Sequence, residues 1–316
     1  MHSLPRVDDI GAFKAWRADA SQCLPAALDI ARSHGLTDAD PQLFSTGTNL
    51  VVGLGRDLIL KIFPPMLRGQ FISERASLSQ LGGRIGVPVP EIVLEGEREQ
   101  WPYLVMTRLA GIIGNEAWPV LPEDQKERVL GQIGETIAEV QRVPVGELSR
   151  IEPRWDQFMT RQIAGCRARH QRLRLPPHFL DGLAQLVAEA ATLIPMNAPP
   201  VILTGEYIPE NFLLSDEGGV WRLSGLFDFG DVMAGWGEYD LLGPSAFMTA
   251  GMPRRVRSLF AGFGYSQSDI TPALKRRLMA LLLLHRASDP VRHICIDNWP
   301  QKAGDLFELQ ELLWPD

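Results

Sequence analysis

Ile202-Leu203-Thr204-Gly205-Glu206-Tyr207-Ile208-Pro209-Glu210-Asn211, followed by Leu223 to Phe227 and then Asp228-Phe229-Gly230-Asp231, carries more chemistry than any other part of this chain. A carboxylate five residues before an Asn can set one group at an attacking hydroxyl and the other on a metal. An Asp at the end of the following strand can hold that same metal. In this reading Glu206 orients or deprotonates a substrate hydroxyl, and Asn211 and Asp228 coordinate Mg²⁺ that gathers nucleotide phosphates. A plain β-hairpin is the competing reading. Phe212 to Ser215 and Val220 to Phe227 are β-rich, and Asp216-Glu217-Gly218-Gly219 is a good turn between them.

The segment resembles the catalytic loop of the aminoglycoside phosphotransferase family, relatives of choline kinase and of protein kinases. The family's usual pattern is His-Gly-Asp, then an Asn, then Asp-Trp/Phe-Gly. Here Thr204 stands in place of the His and Glu206 in place of the Asp, which keeps a carboxylate on a side chain one methylene longer. The resemblance implies an α+β, protein kinase-like fold of two lobes, with an antiparallel β-sheet N-lobe and a mostly helical C-lobe. The expected division is a helical extension over 1–38, a nucleotide-binding lobe over 39–108 and a catalytic and substrate-binding lobe over 109–316.

Upstream segments fit that order. Leu58-Ile59-Leu60-Lys61-Ile62-Phe63 places one lysine in an apolar strand, a costly position unless the ammonium meets an anion. The family's strand lysine meets the nucleotide phosphates, and a helix glutamate holds it there, which implies those roles for Lys61 and Glu74. Alternatively Lys61 faces water on an edge strand, and Glu74 is a first-turn carboxylate of a helix striped by Phe71, Ala76, Leu78 and Leu81. Tyr103 to Gly111 looks like the family's hinge, with backbone groups around Met106 and Arg108 bonding a purine. There is no G-x-G-x-x-G. Thr46-Gly47-Thr48 offers a single glycine, so it is either a loose phosphate loop or an ordinary hairpin turn.

The remaining helices are expected from spacing. Ile10, Phe13 and Trp16 share a face, Leu24 and Leu28 another, and Val129, Ile133, Ile137 and Val140 follow Pro122 at helical period. Further helices are predicted over Trp155 to Leu173, Pro177 to Leu193, Pro253 to Phe263, Pro272 to Ala287 and Gly304 to Trp314. Asp240, in a segment resembling the family's Gly-Asp-Pro-x-x-Asp-Leu, is expected to brace the catalytic loop.

With 316 residues the chain can bury two cores. A net charge of -7 argues against a general nucleic-acid binder, and the longest apolar stretch is too short for a membrane span. Three scattered cysteines and six unclustered histidines give neither a disulfide framework nor a zinc site. With this composition, the resemblance implies a cytoplasmic small-molecule kinase that uses ATP or GTP with Mg²⁺ and a small hydroxylated acceptor. It is expected to bind no nucleic acid and no membrane, and its oligomeric state is not legible. The alternative is a nucleotide-binding pseudokinase or scaffold, motivated by Thr204 and Glu206. Acidic residues crowd the last segment, at Asp297, Asp305, Glu308, Glu311 and Asp316, as a polycation site or as a solvated helix face.

Overall fold

The computed structural model describes residues 3–36 and 40–316, so the expected boundary at 38/39 lies outside the described residues. The fold is α+β and two-lobed, and the chain divides into two compact units that are not contiguous in sequence. Met1–Gly82, Pro88–Ala110 and Phe227–Asp231 form the first; Gly83–Val87, Gly111–Leu226 and Val232–Asp316 form the second.

The first unit is built on an antiparallel sheet in the order β1-β2-β3-β5-β4. Its strands are β1 (Pro41–Phe44), β2 (Leu50–Leu54), β3 (Leu58–Ile62), β4 (Ile92–Arg98) and β5 (Trp101–Thr107). Alternation along β3 sends Leu60 and Ile62 to one face and Lys61 to the other. The first face is covered by α1 (Ile10–Ala18) and α2 (Ala20–Ser33), whose Phe13, Ala27 and Ile30 pack with Leu50, Val52, Leu60, Ile62 and Trp101. Asp19 separates the two helices, capping the second through its side chain, and Ile10 stays exposed rather than sharing the buried face of Phe13.

Lys61 is paired with Val51 on one side and Leu104 on the other, so β3 is a central strand and the water-facing edge reading is excluded. Its face meets α3 (Arg68–Leu81). Glu74 lies in the middle of that helix, not in its first turn, and the buried side is Ser73, Glu74, Ser77, Leu78 and Leu81. Phe71 and Ala76 are only half-buried. The stripe is therefore more polar than the sequence suggests, because it serves a buried lysine.

The second unit is mostly helical. After β6 (Ile112–Ile113) and α4 (Gly114–Ala117) comes the long α5 (Glu123–Arg142), which buries Val129, Ile133, Ile137 and Val140 as the spacing predicts. It packs against α9 (Pro253–Phe263) at backbone contact: a Cβ at Gly134 or Gly262 would run into the other helix's main chain. Helices α6 (Trp155–Arg172), α7 (Pro177–Leu193), α10 (Pro272–Leu284) and α13 (Leu306–Leu313) enclose the rest of the core, with the short α8 (Leu242–Pro244), α11 (Pro290–His293) and α12 (Trp299–Lys302) between them. A π-helical turn over Ser245–Thr249 has no counterpart in the predicted elements.

Two small sheets hold the loop of interest. β7 (Val201–Leu203) pairs with β10 (Met233–Gly235), and β8 (Phe212–Asp216) pairs with β9 (Trp221–Leu226), so the hairpin expected from the sequence is present. Among the described residues no helix is long and apolar enough to cross a membrane.

Candidate active site

In the first unit Lys61 is a buried cation between two carboxylates. Its Nζ lies 2.5 Å from Glu74 Oε2 and 2.8 Å from Asp228 Oδ1. Burial pulls the ammonium down, but the charges of Asp228 and Glu74 outweigh it and raise it above the ordinary lysine value. For Glu74 burial dominates and pushes the carboxyl up to about 7, against the pull of Lys61. Asp228 is held below its usual value by the Lys61 charge. A third of its side chain remains exposed. Asp228 adopts a left-handed backbone, φ 67°, a conformation in which Asp is tolerated better than most residues.

Thr46-Gly47-Thr48 lies in the connection between β1 and β2, with Gly47 at φ 85°. The guanidinium of Arg17 donates to the carbonyls of Gly47 at 2.5 Å and Asn49 at 3.0 Å, which fixes where the acceptors of this turn point. Sequence reasoning missed Arg17: it sits in a helix 30 residues earlier with no local signal of this role. Asn49 is buried and donates to Gln70 Oε1, while its own Oδ1 has no partner.

The hinge expectation changes in detail. Met106 is laddered between Ile59 and Ile92, and the Arg108 N–H donates to Asp57 O at 2.7 Å. The Arg108 side chain reaches Gly55 O and Gln42 and lies over Phe44, so it braces the sheet. A purine bonded at this segment cannot take that N–H without displacing Asp57.

In the second unit the loop after β7 is held from beneath by Asp240. Its carboxylate accepts the N–H groups of Thr204 at 3.1 Å and Gly205 at 2.7 Å, the bracing role expected from the sequence. Burial pushes Asp240 up to about 7, against these two donors. Gly205 is at φ 73°, and its carbonyl faces His285 Nε2 at 3.2 Å. His285 stacks on Tyr239 with ring centroids 4.5 Å apart and is lowered to about 3, first by burial and then by the neighbouring Arg286 charge. Nothing in the sequence pattern singled out His285.

Glu206 is half-buried, and Asn211 Nδ2 donates to its carboxylate at 3.1 Å and to its carbonyl at 3.2 Å. The five-residue spacing thus does bring carboxylate and amide together. With its amino group turned to Glu206, Asn211 has its Oδ1 as the remaining donor atom. Asn211 directly precedes Phe212, which pairs with Leu226, and Asp228 follows Leu226 by two residues. Each is an oxygen donor of the hard kind that Mg²⁺ takes, and the Asp228 carboxylate is kept charged by Lys61. Among the described residues no group of three His, Cys, Asp or Glu could hold a metal instead.

Glu206 also lines a cavity of about 340 Å³ inside the second unit, with walls from the Gly205–Glu210 loop, Leu242 to Phe247 and Leu282 to Ile294. None of the five acidic residues near the C-terminal end of the chain lines it. Glu311 and Asp316 pair with Lys275, Asp305 caps α13 and Glu308 accepts the Gly304 N–H, so four of the five are taken by local structure.

Residues 44–281 match the model of the phosphotransferase enzyme family. An aminoglycoside 3'-phosphotransferase of Streptomyces ribosidificus is 28% identical over 191 residues, 57% of this chain and 67% of that enzyme. Among solved structures, the GDP complex of wild-type aminoglycoside 2'-phosphotransferase-IIIa superposes with a TM-score of 0.69 at 18% identity, over 92% of this chain and 96% of that one. The apoenzyme of macrolide 2'-phosphotransferase from Brachybacterium faecium gives 0.56 at 17% identity, over 82% and 90%. At such identities the superpositions speak for a shared fold. The match over most of its length places the chain in the phosphotransferase enzyme family, an aminoglycoside phosphotransferase-like enzyme of the class that transfers phosphoryl groups to alcohols.

Proposed function

We propose that this chain transfers the γ-phosphoryl group of ATP or GTP to a hydroxyl of an aminoglycoside-like or other small hydroxylated substrate. The observation that carries the reading is Glu206: its carboxylate is positioned by Asn211 in a braced loop and lines a cavity large enough for part of a small molecule. A carboxylate there can take the proton of a hydroxyl as that oxygen bonds to phosphorus, and the nucleoside diphosphate leaves. Lys61, which stays charged between Glu74 and Asp228, is the group proposed to meet the nucleotide phosphates. Thr46, Gly47 and Thr48 would cover those phosphates, and the segment around Met106 and Arg108 would face the base. Asn211 and Asp228 are the proposed ligands of Mg²⁺, which when bound neutralises phosphate charge. Nucleotide use is supported by relatives of this fold solved with GDP or ADP.

The test is a mass-spectrometric screen for an added phosphoryl group on aminoglycosides, macrolides, amino alcohols and sugars, with ATP and GTP in parallel. Transfer to any of them supports the reading. Tight Mg²⁺-nucleotide binding with no transfer to any member would favour a nucleotide-binding protein without turnover.

A further inference from the structure

The cavity beside Glu206 has a composition that selects among acceptors. Much of its wall is apolar: Ile208, Leu242, Phe247, Leu282, Pro290 and Ile294 all line it. Its carboxylates are few and largely engaged. Glu206 is the proposed base, and Asp289 accepts the Arg292 N–H at 3.2 Å as the cap of α11. Glu210 is left, exposed on its surface. Opposed to it stands Arg292, which also lines the cavity and forms no ion pair among the described residues. The two histidines of the wall, His285 and His293, are both held below the ordinary value, chiefly by burial, and so are neutral near pH 7. His293 packs its ring on Phe247 at 4.9 Å, extending the apolar surface.

A molecule with several ammonium groups would have to leave water for a wall with one spare carboxylate and one free guanidinium. Desolvated charges without partners are costly, whereas apolar surface gains on leaving water. The wall also holds one unused hydrogen-bonding group. Ser288 is buried to 7% exposure, and its Oγ has no partner, so a ligand hydroxyl or carbonyl could complete it. Resting on the phosphotransferase reading, we propose that the acceptor is an amphiphilic alcohol: a hydroxyl carried on a largely apolar body with at most one positive charge, not a polycation.

The experiment compares phosphoryl transfer from Mg·ATP to erythromycin, a hydroxylated apolar macrocycle with a single amine, and to kanamycin, a compact polycation. Erythromycin is expected to show at least a tenfold higher kcat/KM. Phe247→Ala should raise the KM for erythromycin at least fivefold while the KM for Mg·ATP stays within twofold, which also shows that the variant is folded. Equal or better use of kanamycin overturns the inference and leaves the phosphotransferase reading intact. If neither molecule is phosphorylated, calorimetry decides. Binding of erythromycin alone upholds the cavity's preference for an amphiphilic alcohol, and the wider acceptor screen then decides the transfer reading. Binding of kanamycin, or of neither, overturns the inference.

Discussion

Lys61 shows why a single residue can be legible in kind and still incomplete in role. An ammonium in an apolar strand requires an anion, and the sequence offered Glu74 thirteen residues on, which the structure confirms at 2.5 Å. The second partner, Asp228, is 167 residues away, and no local pattern could have joined the two. Arg17 escaped for the same reason. Removing the lysine therefore carries a cost in stability. Lys61→Met leaves Glu74 buried at mid-helix without its counter-charge, so urea unfolding should show a loss of about 3–5 kcal/mol. The double variant Lys61→Met, Glu74→Gln should recover part of that loss, and an equal loss in both would contradict the pairing. Both variants should bind Mg·ATP at least tenfold more weakly. Asp228→Ala should bind nucleotide with the same affinity in Mg²⁺ as in EDTA; calorimetry showing an undiminished Mg²⁺ effect would remove Asp228 from the metal site.

At the level of elements, apolar period carried most of the information. Helices α5, α7 and α9 begin and end within a residue or so of where spacing and prolines put them, because each buries one apolar stripe. Failures occur where polar groups are buried or geometry is irregular: the Glu74 face of α3, the π-helical turn after α8, and the end of α10, which stops at Leu284 so that His285 can turn to Gly205. That last junction has a pH signature. The folded state disfavours protonated His285, its value falling from 6.5 to about 3, so between those values the unfolded chain binds more protons and stability falls as pH falls. Because the ring faces the cavity, solvent reduces the effect to on the order of 1–2 kcal/mol. Against a His285→Gln variant, the wild type should lose that much additional stability from pH 6.5 to pH 3; parallel curves would mean the ring is not held neutral. In the first unit Phe13 is fully buried where α1 meets the sheet, and Phe13→Ala should cost about 3–5 kcal/mol in urea unfolding. A loss under about 1 kcal/mol would mean that α1 contributes little to that core.

For the whole molecule, the strand run of Leu58 to Phe63 and the helical spacing after Pro122 fit a β-rich unit and a helical one, and the match over residues 44–281 gives that layout its family. The return of Phe227–Asp231 to the first unit is a tertiary fact that periodicity does not carry. Nor does it carry the character of the cavity beside Glu206, whose walls come from three separate segments of the second unit. Chemistry, by contrast, was written locally: Glu206 and Asn211 lie five residues apart and meet at 3.1 Å. The claim that Glu206 is the base is therefore the one on which the rest depends. Rapid-mixing, single-turnover transfer from Mg·ATP to an accepted alcohol should fall by about 10²–10⁴ in Glu206→Gln, with Mg·ATP affinity unchanged, because the amide keeps the shape and loses the base. Transfer by Glu206→Gln at the wild-type rate would contradict the account.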